Sequence, residues 1–404
     1  MKLESMKLFS AIFLDGELNG SPLEGLDYAS VAHELIGYFH TLQITNRTSN
    51  ISSETIDCIK MHLRRFENIA QRCYQAGESA QQDKVTAISA YILEELTSSK
   101  DIFFPGGWYA EPSGHAMVYR LFYDKSGNLV FLAYNTGEGT QYHKKIDGGE
   151  ASTFDVGTYR EKFNPVYAIR FDDVEKLQQP GQLQAWIEKL LEPMILPRYT
   201  CDYLDNNAIA IYKKILSLSA YLNGKVVDPD SYFPWATAGQ KSGTCEQYSI
   251  QQAVRTFLKS DVQYDQFILD YRLHILKKYI DTQQLPNYFE DHYSRALKNT
   301  ARMITTGRIL EKTFTEEEKQ TLLDELASIQ KKAQVYFKSL PVTLEPKRSI
   351  PVIMPEHLSI PSCEWGPHVI DDSKTMQSDL APCHSLLVFN PTGTLSDAVF
   401  SLKK

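Results

Sequence analysis

The sequence lacks several features that would each indicate a class of protein. None of its six cysteines forms a CxxC pair, which argues against a zinc ribbon or a disulfide-rich scaffold. No apolar run approaches the roughly 18 residues that a membrane-spanning helix needs. The short apolar run near the start lies between Glu4 and Asp15, unlike that of a signal peptide. The net charge of −8 comes without a dense Lys/Arg run, so nothing favours nucleic-acid binding. We expect a soluble, cytoplasmic protein with no metal and no cofactor.

Helical periodicity on both sides of a β-rich centre predicts an α+β fold. Apolar residues recur at three- and four-residue spacings before position 100 and again after position 260. Between these parts, β-forming residues at 115–123 and 129–134 flank turn residues at 124–128, as in a hairpin. A further strand is predicted at 166–171. The centre of the chain therefore supplies a small sheet.

These patterns divide the chain into four regions. We predict a helical N-terminal region at 1–100, a core at 101–260, a helical region at 261–340 and a proline-containing C-terminal segment at 341–404. The stretch Phe103–Trp108 contains a proline and two glycines, and we predict a break there, just before the first strand. The chemistry is expected in the core.

Cys245 is the cysteine best placed for chemistry. It follows Ser242-Gly243-Thr244 and opens a helix predicted over 244–259. A helix N-terminus favours negative charge and lowers the pKa of a thiol, and the thiolate is the nucleophilic form. The alternative is a buried structural cysteine, which Cys58 and Cys73 fit best because they fall inside predicted helices, while Cys201 stays open as a second candidate.

A histidine and two amides complete the set. His115 opens a predicted strand after a glycine-containing loop, as expected of a base that projects into a cleft. Asn135 ends the next strand, where its amide oxygen would fix the imidazole tautomer. Gln240, five residues before Cys245, would donate to an oxyanion. His143 is an alternative base and Glu138 an alternative orienting residue.

The order of these residues resembles one family, the adenovirus-protease/ubiquitin-like-protease superfamily of cysteine proteases (clan CE). The resemblance covers residues 101–260. It implies a papain-like or clan CE-like core, in which a helix that bears the nucleophile packs on a small mixed sheet. It also implies roles, with Cys245 as nucleophile, His115 as base, Asn135 as its orienting residue and Gln240 as oxyanion donor. The family includes desumoylating enzymes, bacterial effector deubiquitinases and effector acetyltransferases.

The resemblance implies a thiol protease or isopeptidase with a protein substrate, for which ubiquitin or a ubiquitin-like modifier is the expected class. It also suggests a bacterial effector that acts in a host cytosol. Two alternatives stay open. The same residues would support an acetyltransferase or a transglutaminase-like enzyme. A catalytically inactive interaction module is favoured by Ala116, where the family usually has an aromatic residue, and by Glu246, where it has glycine.

Overall fold

Helices supply most of the described part of the chain. The computed structural model describes residues 3–340 apart from 15–16, 19–20, 23–26, 46–50, 78–81, 110–113, 147–161, 178, 180, 197–206, 239–243, 284 and 307–313. The described helices are α1 (Leu3–Phe13), α2 (Tyr28–Thr45), α3 (Ser53–Gly77), α4 (Gln82–Ser99), α5 (Val174–Leu177), α6 (Gln182–Ile195), α7 (Ala208–Tyr221), α8 (Cys245–Arg255), α9 (Asp261–Asp281), α10 (Glu290–Thr306) and α11 (Glu316–Ser339). The predicted helices before 100 and after 260 are confirmed.

A five-stranded sheet forms the centre of the fold, in the order β3-β4-β5-β7-β8. Its strands are β3 (Asp101–Trp108), β4 (His115–Tyr123), β5 (Leu129–Tyr134), β7 (Val166–Phe171) and β8 (Gly224–Val226). The short strands β1 (Glu17–Leu18), β2 (Ser21–Pro22), β6 (Lys162–Phe163) and β9 (Thr237–Ala238) form two further pairs. The α+β class and the three predicted strands are confirmed.

The expectation of a mixed sheet is wrong for the described strands. All four pairings of the central sheet are antiparallel. For β4 and β5 the reason is their connection, since only residues 124–128 link them and a parallel neighbour needs a much longer crossover.

Helices cover both faces of this sheet. On one face, Val118 and Tyr134 pack in a core that includes Ile250 and Val254 of α8. On the opposite face, Met117, Tyr119 and Phe131 pack in a second core with residues of α4, α6 and α7. Side chains alternate between faces along a strand, so neighbours in β4 belong to different cores. The two faces are named here the α8 face and the α7 face.

The predicted break at Phe103–Trp108 is wrong, because this stretch lies within β3. Strand β3 is at the edge of the sheet, where a proline that cannot donate a hydrogen bond is tolerated. Gly107 has φ of +103°, and a Cβ there would lie 2.1 Å from the carbonyl oxygen of His115. The glycine therefore allows the end of β3 to approach the first residue of β4.

The β4–β5 pairing stops short of the start of β4. It begins at Val118 opposite Tyr134, so β5 pairs none of residues 115–117. Beyond Tyr134 the chain turns towards β7, and the amide of Asn135 donates to the carbonyl oxygen of Pro165 at 2.8 Å. This leaves an open end of the sheet beside His115 and Ala116.

We predict that Gly107→Ala destabilises the protein. A left-handed backbone costs an ordinary residue about 1–2 kcal/mol, and the close contact with the His115 carbonyl adds to that cost. Gly37→Ala is the matched control, because a Cβ at Gly37 would meet nothing within 4 Å inside helix α2. There the change should raise the free energy of unfolding by roughly 0.5–1 kcal/mol. Urea denaturation measures both. Equal effects of the two changes would contradict the role of Gly107.

Candidate active site

His115 and Asn135 meet at the open end of the sheet. His115 Nε2 lies 2.7 Å from Asn135 Oδ1. Both side chains are buried, with 8% and 0% of their surface exposed. His115 belongs to the α7 face, like Met117 and Tyr119 of the same strand, and its ring meets Asn135 just beyond the last paired residue of β5. The structure therefore brings together two of the four residues that the sequence selected.

The bonds of Asn135 determine which nitrogen of His115 carries the proton. Asn135 Oδ1 also accepts from the amide of Gly137 at 2.9 Å, and Nδ2 donates to the Glu138 carbonyl oxygen at 2.6 Å. An amide oxygen only accepts, so His115 Nε2 must be the protonated nitrogen. The lone pair of the imidazole is then on Nδ1, to which no described residue forms a hydrogen bond. Nδ1 is thus the nitrogen through which the neutral ring can accept a proton.

His143, the alternative base, lies in the same cluster with both nitrogens engaged. Its Nδ1 lies 2.9 Å from the carbonyl oxygen of Asn164, and its Nε2 lies 2.5 Å from the Tyr212 hydroxyl. The Tyr212 hydroxyl also accepts from Asn135 Nδ2 at 3.0 Å. Because neither nitrogen of His143 is open to a substrate, His143 is better placed to hold its neighbours in position than to transfer a proton.

Glu138, the alternative orienting residue, meets Asn135 through its main chain. The carbonyl oxygen of Glu138 accepts from Asn135 Nδ2, while the residue itself is exposed. The acceptor for the imidazole N–H is therefore the Asn135 amide oxygen.

Cys245 begins α8 on the other face of the sheet. One turn later, Ser249 Oγ donates to the carbonyl oxygen of Ala116 at 3.4 Å. The main chain of Ala116 also lies against the Cys245 sulfur, where its hydrogen bond lowers the pKa of the thiol. None of the described strands pairs Ala116 on its β5 side, and the start of α8 contacts its main chain instead. Ala116 is buried under α8, so the small side chain allows the helix to approach.

The thiol is held in its neutral form. Cys245 Sγ donates to Glu246 Oε2 at 3.4 Å. Burial raises the pKa of Cys245 well above its usual value, and the Glu246 charge raises it further. These effects outweigh the helix N-terminus, on which the sequence analysis relied. Burial also lowers the pKa of His115 to about 4, against the opposing effect of its bond to Asn135. At neutral pH both groups are uncharged.

The structure does not join the thiol to the imidazole. Among the described residues, the Cys245 sulfur forms hydrogen bonds with the Glu246 carboxylate and the Ala116 main chain, and the His115 ring forms one with Asn135. The two side chains belong to opposite faces, and they are linked through Ala116, the neighbour of His115 that touches the sulfur. Gln240 lies outside the described residues.

Sequence reasoning missed Tyr212 and Asn164. Tyr212 lies on the apolar side of α7, with Ala208 and Ile215, and is fully buried. A buried tyrosine hydroxyl usually has a hydrogen-bond partner, which is the signal that a search of the sequence offers.

Within the described ranges no group of three His, Cys, Asp or Glu side chains is placed to hold a metal ion. Nor does any helix there combine the length and apolarity needed to cross a membrane.

We predict that Glu246→Gln increases the reactivity of Cys245. The change removes the charge that disfavours the thiolate, so the thiol pKa falls, and each unit of that fall gives roughly tenfold more thiolate near neutral pH. The rate of iodoacetamide labelling of the Cys245 peptide, followed by mass spectrometry at pH 7.5, measures this.

Glu67→Gln is the matched control for this change. It removes a carboxylate that pairs with His33, and the labelling rate should stay at the wild-type value. Labelling of Glu246→Gln at or below the wild-type rate would contradict the assigned effect of the carboxylate.

Comparison with known proteins identifies no family for this chain, so a functional assignment has to start from the geometry of the site. No protein-family model matches the chain, and no curated protein matches its sequence. The resemblance to clan CE thus depends on the order of Cys245, His115, Asn135 and Gln240 along the chain. Any activity has to be argued from the bonds, burial and charge of the described residues.

Proposed function

We propose that the protein is a thiol-dependent acyl-transfer enzyme, in which Cys245 is the nucleophile, His115 the base and Asn135 the residue that orients the base. One observation carries the proposal: the 2.7 Å bond from His115 Nε2 to Asn135 Oδ1, which leaves Nδ1 as the basic nitrogen. An imidazole oriented by an amide or carboxylate on one side, with a nucleophile within reach on the other, is the arrangement that activates serine and cysteine nucleophiles.

The reaction starts from two neutral groups. Nδ1 of His115 takes the thiol proton of Cys245 as the sulfur attacks the carbonyl carbon of the substrate, which gives a tetrahedral intermediate and an imidazolium. The imidazolium returns the proton to the leaving amine, and a thioester remains on Cys245. Water then attacks the thioester, with His115 as base again, and releases the acid and the free thiol.

The negative oxygen of each intermediate needs hydrogen-bond donors. The main-chain amide of Cys245 belongs to the first turn of α8, where amides have no partner within the helix. Gln240 is proposed as the second donor through its side-chain amide. Loss of one such donor typically costs roughly 100- to 1000-fold in rate.

The proposed substrate is a protein, with a peptide or isopeptide bond at the C-terminus of ubiquitin or a ubiquitin-like modifier as the class. This choice follows the clan CE resemblance, as does the proposed site of action in the cytoplasm of a host cell into which an effector is delivered. The same residues would act as an acetyltransferase with an acyl-coenzyme A as donor, or as a transglutaminase-like enzyme with a glutamine side chain as donor and ammonia as leaving group, if an acceptor other than water took the acyl group from Cys245.

A catalytically inactive interaction module is the second candidate function. The specific observation in its favour is the bond from Cys245 Sγ to Glu246 Oε2, which stabilises the thiol that catalysis must ionise. An enzyme with this arrangement needs substrate binding to release the thiol from Glu246. An inactive module needs no such step, and its Cys245 would stay unreactive in every complex.

We predict that ubiquitin or a ubiquitin-like protein with a C-terminal electrophile forms a covalent adduct with Cys245. Intact-mass spectrometry detects the adduct, which should form on the wild type and be absent from Cys245→Ala. Asn135→Ala should slow its formation by roughly 100-fold or more, because the imidazole loses the acceptor that fixes its tautomer.

Cys58→Ala is the control for a second thiol, since Cys58 is half-buried and lies in helix α3, and it should react as the wild type does. An adduct that persists in Cys245→Ala would refute the nucleophile. A wild type that reacts with none of the modifiers would refute the proposed substrate class.

A further inference from the structure

A chain of hydrogen bonds runs inward from His115 and ends at a main-chain carbonyl. It passes from His115 through Asn135 and the Tyr212 hydroxyl to His143, whose Nδ1 meets the carbonyl oxygen of Asn164. Its members lie 20 to 77 residues apart in sequence between successive bonds, so the fold assembles it. All five groups are buried.

The terminal carbonyl fixes the direction of every bond in the chain. The Asn164 oxygen only accepts, so His143 Nδ1 must donate, and in the neutral ring Nε2 then accepts. Tyr212 must therefore donate its proton to His143 Nε2, so towards Asn135 its oxygen can only accept. The group of Asn135 that faces Tyr212 must be the Nδ2 amide, as observed, which leaves Oδ1 for His115.

Burial keeps this direction in place. It lowers the pKa of His143 to about 4, so the ring is neutral at neutral pH and Nε2 remains an acceptor. A reversed Asn135 amide would place Oδ1 against two accepting oxygens, those of Glu138 and Tyr212, and Nδ2 against the Gly137 amide. The orientation of Asn135 is thus set from several sides.

The loop after β5 is shaped for the contact between Tyr212 and Asn135. Gly139 has φ of +94°, and a Cβ there would lie 2.7 Å from the Tyr212 ring and 3.2 Å from Asn135 Nδ2. The absence of a side chain at Gly139 therefore lets the phenol reach the amide. The sequence Asn135-Thr136-Gly137-Glu138-Gly139 therefore serves this contact as well as turn formation.

We propose that Tyr212 and His143 are positioning residues that hold the Asn135 side chain in the orientation that places the His115 proton on Nε2 and the lone pair on Nδ1. The catalytic meaning of this arrangement rests on the proposed function. The arrangement itself is a property of the resting protein and is measurable without any substrate. Tyr212→Phe isolates the contribution of the hydroxyl, because a phenylalanine would fill the same space in the core.

Tyr167 offers a matched control in the same cluster. Its ring contacts the Tyr212 ring at a centroid distance of 5.4 Å and the His143 ring at 6.1 Å. It is buried on the α7 face like Tyr212. Its hydroxyl takes no part in the chain from His115 to Asn164. A Tyr→Phe change at either position removes one oxygen atom and keeps the ring.

We predict that Tyr212→Phe disturbs the tautomer of His115 and that Tyr167→Phe does not. In the wild type, the ¹⁵N spectrum of the folded protein should show a protonated Nε2 and a bare Nδ1 for His115. Tyr212→Phe should move both signals towards a mixture of tautomers and slow the labelling of Cys245 by the electrophilic modifier by roughly 10- to 100-fold. His143 provides a second signal, because its Nδ1 should stay protonated wherever the local fold is retained.

The two readouts separate failure of this proposal from failure of the proposed function. A Tyr212→Phe protein with unchanged His115 signals would overturn the positioning role, as would an equal shift in Tyr167→Phe. A wild type that is never labelled would refute the substrate class of the proposed function and leave the positioning role intact, since the ¹⁵N spectrum still decides the tautomer. A bare Nε2 in wild-type His115 would overturn both.

Discussion

The separation of β5 from β4 beyond Tyr134 is the constraint from which the candidate site follows. Because β5 pairs no residue before Val118, the main chain of Ala116 has no neighbour among the described strands on that side, and it contacts the start of α8 instead. Where the chain leaves β5 it turns at Asn135, and the Asn135 side chain is then available to His115. One change in strand pairing thus places the thiol and the imidazole at the same end of the sheet, on opposite faces.

Burial then sets the protonation state of both groups. It penalises the thiolate of Cys245 and the imidazolium of His115 alike, so the resting site has no ion pair. Glu246 adds a charge that works against the thiolate. A substrate that draws Glu246 away, or shields it, would therefore favour ionisation of the sulfur. Reactivity in such a site depends on the complex with the substrate more than on the free protein.

The sequence was sufficient for the parts of the fold that have a local signal. Strands β4, β5 and β7 follow from β-forming runs bounded by turn residues, and the contact of His115 with Asn135 follows from their place at the same open end of one hairpin. The sequence was insufficient for features that depend on contacts between residues far apart in the chain. The edge position of β3 makes Pro105 compatible with a strand, and the packing of α7 brings Tyr212 to Asn135 from 77 residues away. The effect of Glu246 on the thiol depends on burial, which no local pattern contains.

The central claim is that His115 and Cys245 reach each other around the open end of the sheet. A bifunctional alkylating reagent with a three-carbon bridge, 1,3-dibromoacetone, tests it directly, because one arm alkylates the thiol and the other then captures a nitrogen within reach. Peptide mass spectrometry after digestion identifies the linked residues. Our account predicts a cross-link between Cys245 and His115 through Nδ1. A reagent attached to Cys245 by one arm only, or bridged to another histidine, would contradict it.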